Sequence, residues 1–184
     1  MFPQTLPLQK VGRLSKDEGG YIDDGIVKLS PNGEILYEKS VSQIFIENGL
    51  EYLLFAHGTY ERDPIHLNDI QPVDFNGKYW KKGDLFLSLR NQSMLLLYRP
   101  GTNEIIWKGT GPFLNQHDVD ILDDHRISIF NNRSVSSVND GFSVDGNNEV
   151  TIFDFKKNNY SSYLKNSLVE QDVRTIAQGT SQIL

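Results

Sequence analysis

Residues Phe113–Asn132, FLNQHDVDILDDHRISIFNN, constrain the fold more than any other stretch of the chain. Val119, Ile121 and Leu122 are apolar before an Asp123-Asp124 pair, and Ile127, Ile129 and Phe130 are apolar after it. That pattern predicts strand, tight turn, strand. His117 stands at the mouth of the first strand, beside Asp118 and Asp120. Pro64–Arg90 has the same layout, IHLNDIQPV, a turn region, then GDLFLSLR, with His66 in the place of His117. The last residues, AQGTSQIL, repeat the opening a third time, with Gly179 in the histidine position. A unit that recurs this way points to a repeat architecture.

Hairpins alternate with these inner pairs. Gly25–Val41 turns at Pro31-Asn32-Gly33, Ser93–Gly109 turns at Pro100-Gly101-Thr102-Asn103, and Asn148–Asn166 turns at Lys156–Asn159. Val41–Gly58 breaks the strand pattern with a short helical stripe of Ile44, Phe45, Leu50, Leu53 and Leu54. Ser42 is its candidate N-cap, and Gly49 weakens the middle enough to give two short turns. Residues 131–148 read as a polar loop, and 1–20 as a lead or peripheral strand.

An inner pair plus the following hairpin makes a four-stranded antiparallel unit of roughly 50 residues, the size of a β-propeller blade. The fold expected is all-β, a propeller segment with full blades near 65–108 and 116–165 and partial blades at 25–41 and 175–184. One short helical connection interrupts it. A propeller removes exposed edges by closing a ring of at least about four blades. Two full and two partial blades do not close one, so the expectation is a segment of a larger ring or association with another copy through exposed blade edges.

Composition narrows the partners. The net charge of -6 and pI of about 5.2 argue against nucleic acid or an anionic membrane. With no cysteine there are no disulfides, thiolate metal sites or cysteine nucleophiles. No apolar run reaches the roughly 20 residues that span a bilayer, and the first residues lack an apolar signal core.

In a propeller the innermost strands line a central channel. His66, Asn68, Asp69, His117, Asp118 and Asp120 lie on or just before such strands, and Arg90 ends the next. Two histidines and an arginine on one opening suit a sulfate or phosphate group, since arginine offers a fixed fork of donors and histidine a proton or a nucleophilic nitrogen. The competing reading is structural: these side chains bond the backbone of the neighbouring blade. A third, a hard-cation site, matches no known metal-loop spacing. His125 reads as a solvent-exposed turn residue, and His57 as a residue near a helix end. Trp80, Trp107, Tyr98, Phe153 and Phe155 read as packing between blades.

In combination, HLNDIQPV, GDLFLSLRNQSMLLLYRPGTNEIIWKG and NQHDVDILDDHRISIFNN resemble the bacterial arylsulfotransferase family. The resemblance implies a six-bladed propeller and transfer of a sulfuryl group from an aryl sulfate to a phenol through a histidine intermediate, without a cofactor or a metal. It places the nucleophile at His117, a second channel histidine at His66, and the arginine that steadies the sulfuryl oxygens at Arg90. Asn68 and Asn91 fall among the substrate-binding positions. The family's Arg-His pair is Arg90-Asn91 here. The resemblance also implies a periplasmic or secreted location.

Overall fold

The computed structural model describes residues 22–58, 61–137 and 141–183. The lead over 1–20 lies outside them, as does the side chain of His57. Two compact units divide between His66 and Leu67. The chain is mostly β-sheet, as expected, and among the described residues no helix is long and apolar enough to cross a membrane.

In the first unit β1 (Gly25–Leu29) and β2 (Ile35–Ser40) form a two-stranded antiparallel hairpin. Its turn is built by local chemistry. Gly33 takes a φ of +84°, and the Ser30 hydroxyl accepts the Asn32 and Glu34 N–H groups at 3.3 and 3.1 Å. Helix α1 (Val41–Glu47) follows at once. Its N-cap is Ser40, whose Oγ accepts the Gln43 N–H at 3.0 Å, and not Ser42. Ser42 is buried one residue inside the helix and donates to Asp23 Oδ1 at 2.6 Å, while Ser40 keeps the extended backbone of a cap. Gly49, at φ +70°, ends this piece, and a tighter helical turn runs over Glu51–Gly58.

The second unit holds two four-stranded antiparallel sheets. In the first, β3 (Leu67–Pro72), β4 (Leu85–Leu89), β5 (Met94–Arg99) and β6 (Glu104–Thr110) pair in chain order. In the second the order is β7 (Val119–Ile121), β8 (Arg126–Asn131), β11 (Glu149–Asp154) and β12 (Asn159–Tyr163). Between β8 and β11 the expected polar loop is a small hairpin of its own, β9 (Ser134–Ser137) with β10 (Gly141–Val144). Helix α2 (Lys165–Glu170) follows β12.

The strands pack where the alternation rule sends them. Phe86 and Leu97 are cross-strand partners, as are Ser88 and Leu95, so one face of the first sheet presents Phe86, Leu95 and Leu97. That face meets Val119, Ile127, Ile129 and Phe153 of the second sheet in one buried core. Aromatic rings fill the seam. Trp107 stacks on Phe153 at 5.0 Å between centroids, Phe153 lies 4.6 Å from Tyr160, and Trp80 meets Phe155 edge-on at 5.3 Å. Gly109 makes the approach possible: a Cβ there would fall 2.4 Å from the Trp107 ring and 2.8 Å from the Tyr160 hydroxyl.

The strand expected at 175–184 is not formed. Residues 173–183 carry no regular secondary structure. Gln178 at φ +64° and Gly179 at φ +105° turn the backbone out of the extended region. The segment is held instead by side chains. Asn132 and Asn148 bond its carbonyls, the Ser181 N–H donates to Asp118 Oδ2 at 3.0 Å, and Gly179 lies so close to Phe130 that a Cβ would meet the ring at 2.3 Å.

Candidate functional site

His117 precedes β7 and is fixed by its backbone first. Its N–H donates to the Phe130 carbonyl at 3.1 Å, and the Phe130 N–H returns to the Asp118 carbonyl at 3.0 Å. The flanking residues are tied to the first sheet. Asn68 Nδ2 donates to the Gln116 carbonyl at 3.1 Å, and Asp69 Oδ2 accepts the Val119 N–H at 3.1 Å. Gln116 is wholly buried, and its amide nitrogen donates to the carbonyls of Leu89 and Met94 at 3.1 and 3.0 Å. These are the last residue of β4 and the first of β5. Gln116, the residue before His117, is therefore pinned beside Leu89, the residue before Arg90, so His117 and Arg90 follow positions at the same end of the sheets.

Arg90 opens the β4–β5 turn. Its Nη1 donates to Asn91 Oδ1 at 3.0 Å, and its guanidinium carbon lies 5.4 Å from the Phe142 ring centroid on β10. Its Nε is inaccessible and has no hydrogen-bond partner among the described residues. Asn115, two residues before His117, donates its N–H to Ser93 Oγ of the same turn at 3.1 Å, and its Nδ2 to the Ser134 carbonyl on β9 at 2.8 Å. The unanticipated β9–β10 hairpin thus flanks the arginine and the loop that leads to His117.

The His117 ring is half-buried, and its Nδ1 lies 2.8 Å from Asn132 Oδ1 and 3.3 Å from the Asn115 carbonyl. Asn132 is fully buried at the end of β8. Neither Asn132 nor Gln116 was assigned a role from sequence, although both lie within the motif itself. A buried asparagine looks like any turn asparagine until its partners, 43 and 46 residues away, are known.

Carboxylates crowd the body of the strands. Burial pushes the Asp69 carboxyl up, with the Val119 N–H opposing and the charge of Asp118 adding. Burial also raises Asp120, reinforced by the charges of Asp118 and Asp69.

His66 belongs to the first unit. It adopts φ +57°, and its Nδ1 pairs with Asp63 Oδ2 at 2.5 Å. His125 is half-buried rather than exposed, because Asp124 Oδ1 and Asp123 Oδ1 hold its Nδ1 at 2.6 and 3.1 Å. The Asp123, Asp124 and His125 ligand atoms all lie within 4.8 Å of one another. They cap the far end of β7–β8 from His117, where Asp123 also accepts the His125 and Arg126 N–H groups of its own turn.

Neither a curated protein nor a solved structure matches the sequence. A family model described as arylsulfotransferase (ASST) matches residues 1–184. With the Gln116-His117 pair and Arg90 carried to one end of the two sheets, and the whole length matched by that model, the chain belongs to the arylsulfotransferase family.

Proposed function

We propose that the protein transfers a sulfuryl group from an aryl sulfate to a phenolic acceptor through a sulfohistidine at His117. The observation that carries this reading is the Gln116 bridge, which sets His117 and Arg90 at the same end of the packed sheets. A ring nitrogen of His117 attacks sulfur, the S–N bond forms, and the S–O bond to the aryl group breaks with its electron pair on the departing phenolate. The acceptor oxygen then attacks the same sulfur and the S–N electron pair returns to the ring, while the acceptor's proton passes to solvent, from which the released phenolate regains one. Arg90 neutralises the sulfuryl oxygens, whose charge is bound most tightly when the transferring group is between nucleophile and leaving group. Asn91 holds the guanidinium, and Asn68 holds the backbone ahead of His117. His66 is given the part of second anion-binding histidine on the family's His-x-Asn motif.

The two sheets, each pairing in chain order and meeting through one aromatic seam, support reading them as neighbouring propeller blades with β3 and β7 innermost. The test is intact-mass analysis after incubation with a nitrophenyl sulfate, paired with nitrophenol release in the presence of phenol. An adduct mapped to His117 is expected, with loss of adduct and turnover in His117→Ala and a fall of roughly 100-fold in Arg90→Lys. A folded wild-type protein that forms no adduct and releases no nitrophenol would sink the reading.

A further inference from the structure

The environment of the His117 ring decides which of its nitrogens carries the proton. Nδ1 faces two oxygens, Asn132 Oδ1 at 2.8 Å and the Asn115 carbonyl at 3.3 Å. A carbonyl oxygen cannot donate, so the ring must donate from Nδ1. The orientation of Asn132 is fixed independently. Its other amide atom lies 2.8 Å from the Gln178 carbonyl, 3.0 Å from Thr175 Oγ1 and 3.3 Å from the Thr175 carbonyl. Two of these three are obligate acceptors, which requires the NH2 group there and leaves Oδ1 toward the histidine. Asn148, also buried, holds that partner segment in turn. Its Nδ2 donates to the Asn132 and Thr175 carbonyls at 2.7 and 3.0 Å, and its Oδ1 accepts the Thr175 N–H at 2.6 Å.

The geometry points to Asn132 as a positioning residue that locks neutral His117 in the Nδ1–H tautomer, with the 175–178 segment and Asn148 setting Asn132. In a neutral imidazole a proton on Nδ1 leaves the in-plane lone pair on Nε2, so the lock selects Nε2 as the nucleophilic atom. It also fixes the plane of the ring, because the Nδ1–H vector must stay on Asn132. The consequence for transfer rests on the proposed role of His117; the tautomer does not. A segment more than 40 residues from the histidine in sequence thereby controls its chemistry through two buried asparagines.

The test reads the ring directly, in the full chain labelled with 15N. Long-range 1H–15N spectra at a pH where the ring is neutral are expected to give a protonated Nδ1 and an unprotonated Nε2 for His117, assigned by its absence in His117→Gln. An Nε2–H tautomer, or an even mixture, overturns the lock. Asn132→Leu is expected to mix the tautomers and to lower kcat for sulfuryl transfer by about tenfold or more, with KM for the aryl sulfate little changed. If it does not fold, Asn132→Ser, polar but too short to reach the ring, takes its place. A variant that keeps both the Nδ1–H tautomer and the wild-type rate overturns the role of Asn132. A wild-type protein with the expected tautomer but no sulfohistidine leaves the lock standing and removes His117 from the transfer.

Discussion

At the scale of single residues, an ion pair to a buried carboxylate ties the start of β4 to the end of β5. Asp84, the residue before β4, is almost wholly buried, and Arg99 meets it with two bonds, at 2.8 and 2.7 Å, from the end of β5. Burial alone raises the Asp84 carboxyl, but the Arg99 hydrogen bonds, the Lys81 N–H and the charges of both residues outweigh it and hold it below the ordinary value. A depressed folded value means that the unfolded chain binds the proton more readily. The pair's contribution is thus complete above about pH 4 and is lost as pH falls through the lower, folded value. Asp84→Ala leaves Arg99 without this partner and is expected to cost about 3 kcal/mol in urea unfolding at pH 7. Its stability should also fall less steeply than that of wild type between pH 4 and lower pH. Neither effect was legible in the sequence, where Asp84 and Arg99 are separated by two strands. The N-cap at Ser40 was hidden differently. Two serines flank the first helical residue and both bond Asp23, and what separates their roles is the extended backbone of Ser40 just outside the helix, with Ser42 already inside it.

At the scale of elements, local chemistry made the hairpins readable. Pro31-Asn32-Gly33 and the 100–103 turn fix their strands within a few residues, and Asn103 takes the left-handed conformation expected of such a turn, at φ +57°. Of the aromatics assigned to packing, Trp80, Trp107, Phe153 and Phe155 do meet in the seam, whereas Tyr98 lies on the opposite face of β5 from Leu97, with its hydroxyl on Asn103. The largest single loss should come from the seam's centre: Phe153→Ala removes a ring that touches Trp107, Phe155 and Tyr160, and a cost of about 3 to 5 kcal/mol is expected by thermal or denaturant unfolding. The β9–β10 hairpin was missed for a physical reason. Its alternating apolar residues, Val135 and Phe142, are exposed, so no buried face marks it, and it is closed by Arg133 against Asp145 at 2.8 Å. The terminal strand was over-read from a motif echo, since the letters do not show that Gln178 and Gly179 both take positive φ and break the extended run.

At the scale of the whole chain, exposed surface and folding order matter most. Within the first unit the β1–β2 hairpin leaves Leu29, Ile35 and Leu36 more than half exposed, on a sheet of two strands among the described residues. Open edges with apolar side chains recruit another strand. Light scattering at tens of micromolar should therefore read a mass above one chain, and Ile35→Lys should return it toward the monomer; a monomer at all concentrations rules the association out. The two sheets of the second unit also differ in how far apart their central strands lie along the chain. In the first, β4 and β5 are joined by residues 90–93; in the second, β8 and β11 are joined only after residues 132–148. Two doublings of loop length add about 1.2 kcal/mol to closure. The first sheet should accordingly nucleate, and the second should complete late and open early. Native-state hydrogen exchange is expected to release the His117 and Thr175 amides before those of Leu87 and Leu96. Arg90 sits in the early-closing turn, whereas His117 and Asn132 flank the late sheet. A chain warmed or mildly denatured would on this account lose its histidine before its arginine, so that the anion binding proposed for Arg90 would outlast the turnover proposed for His117.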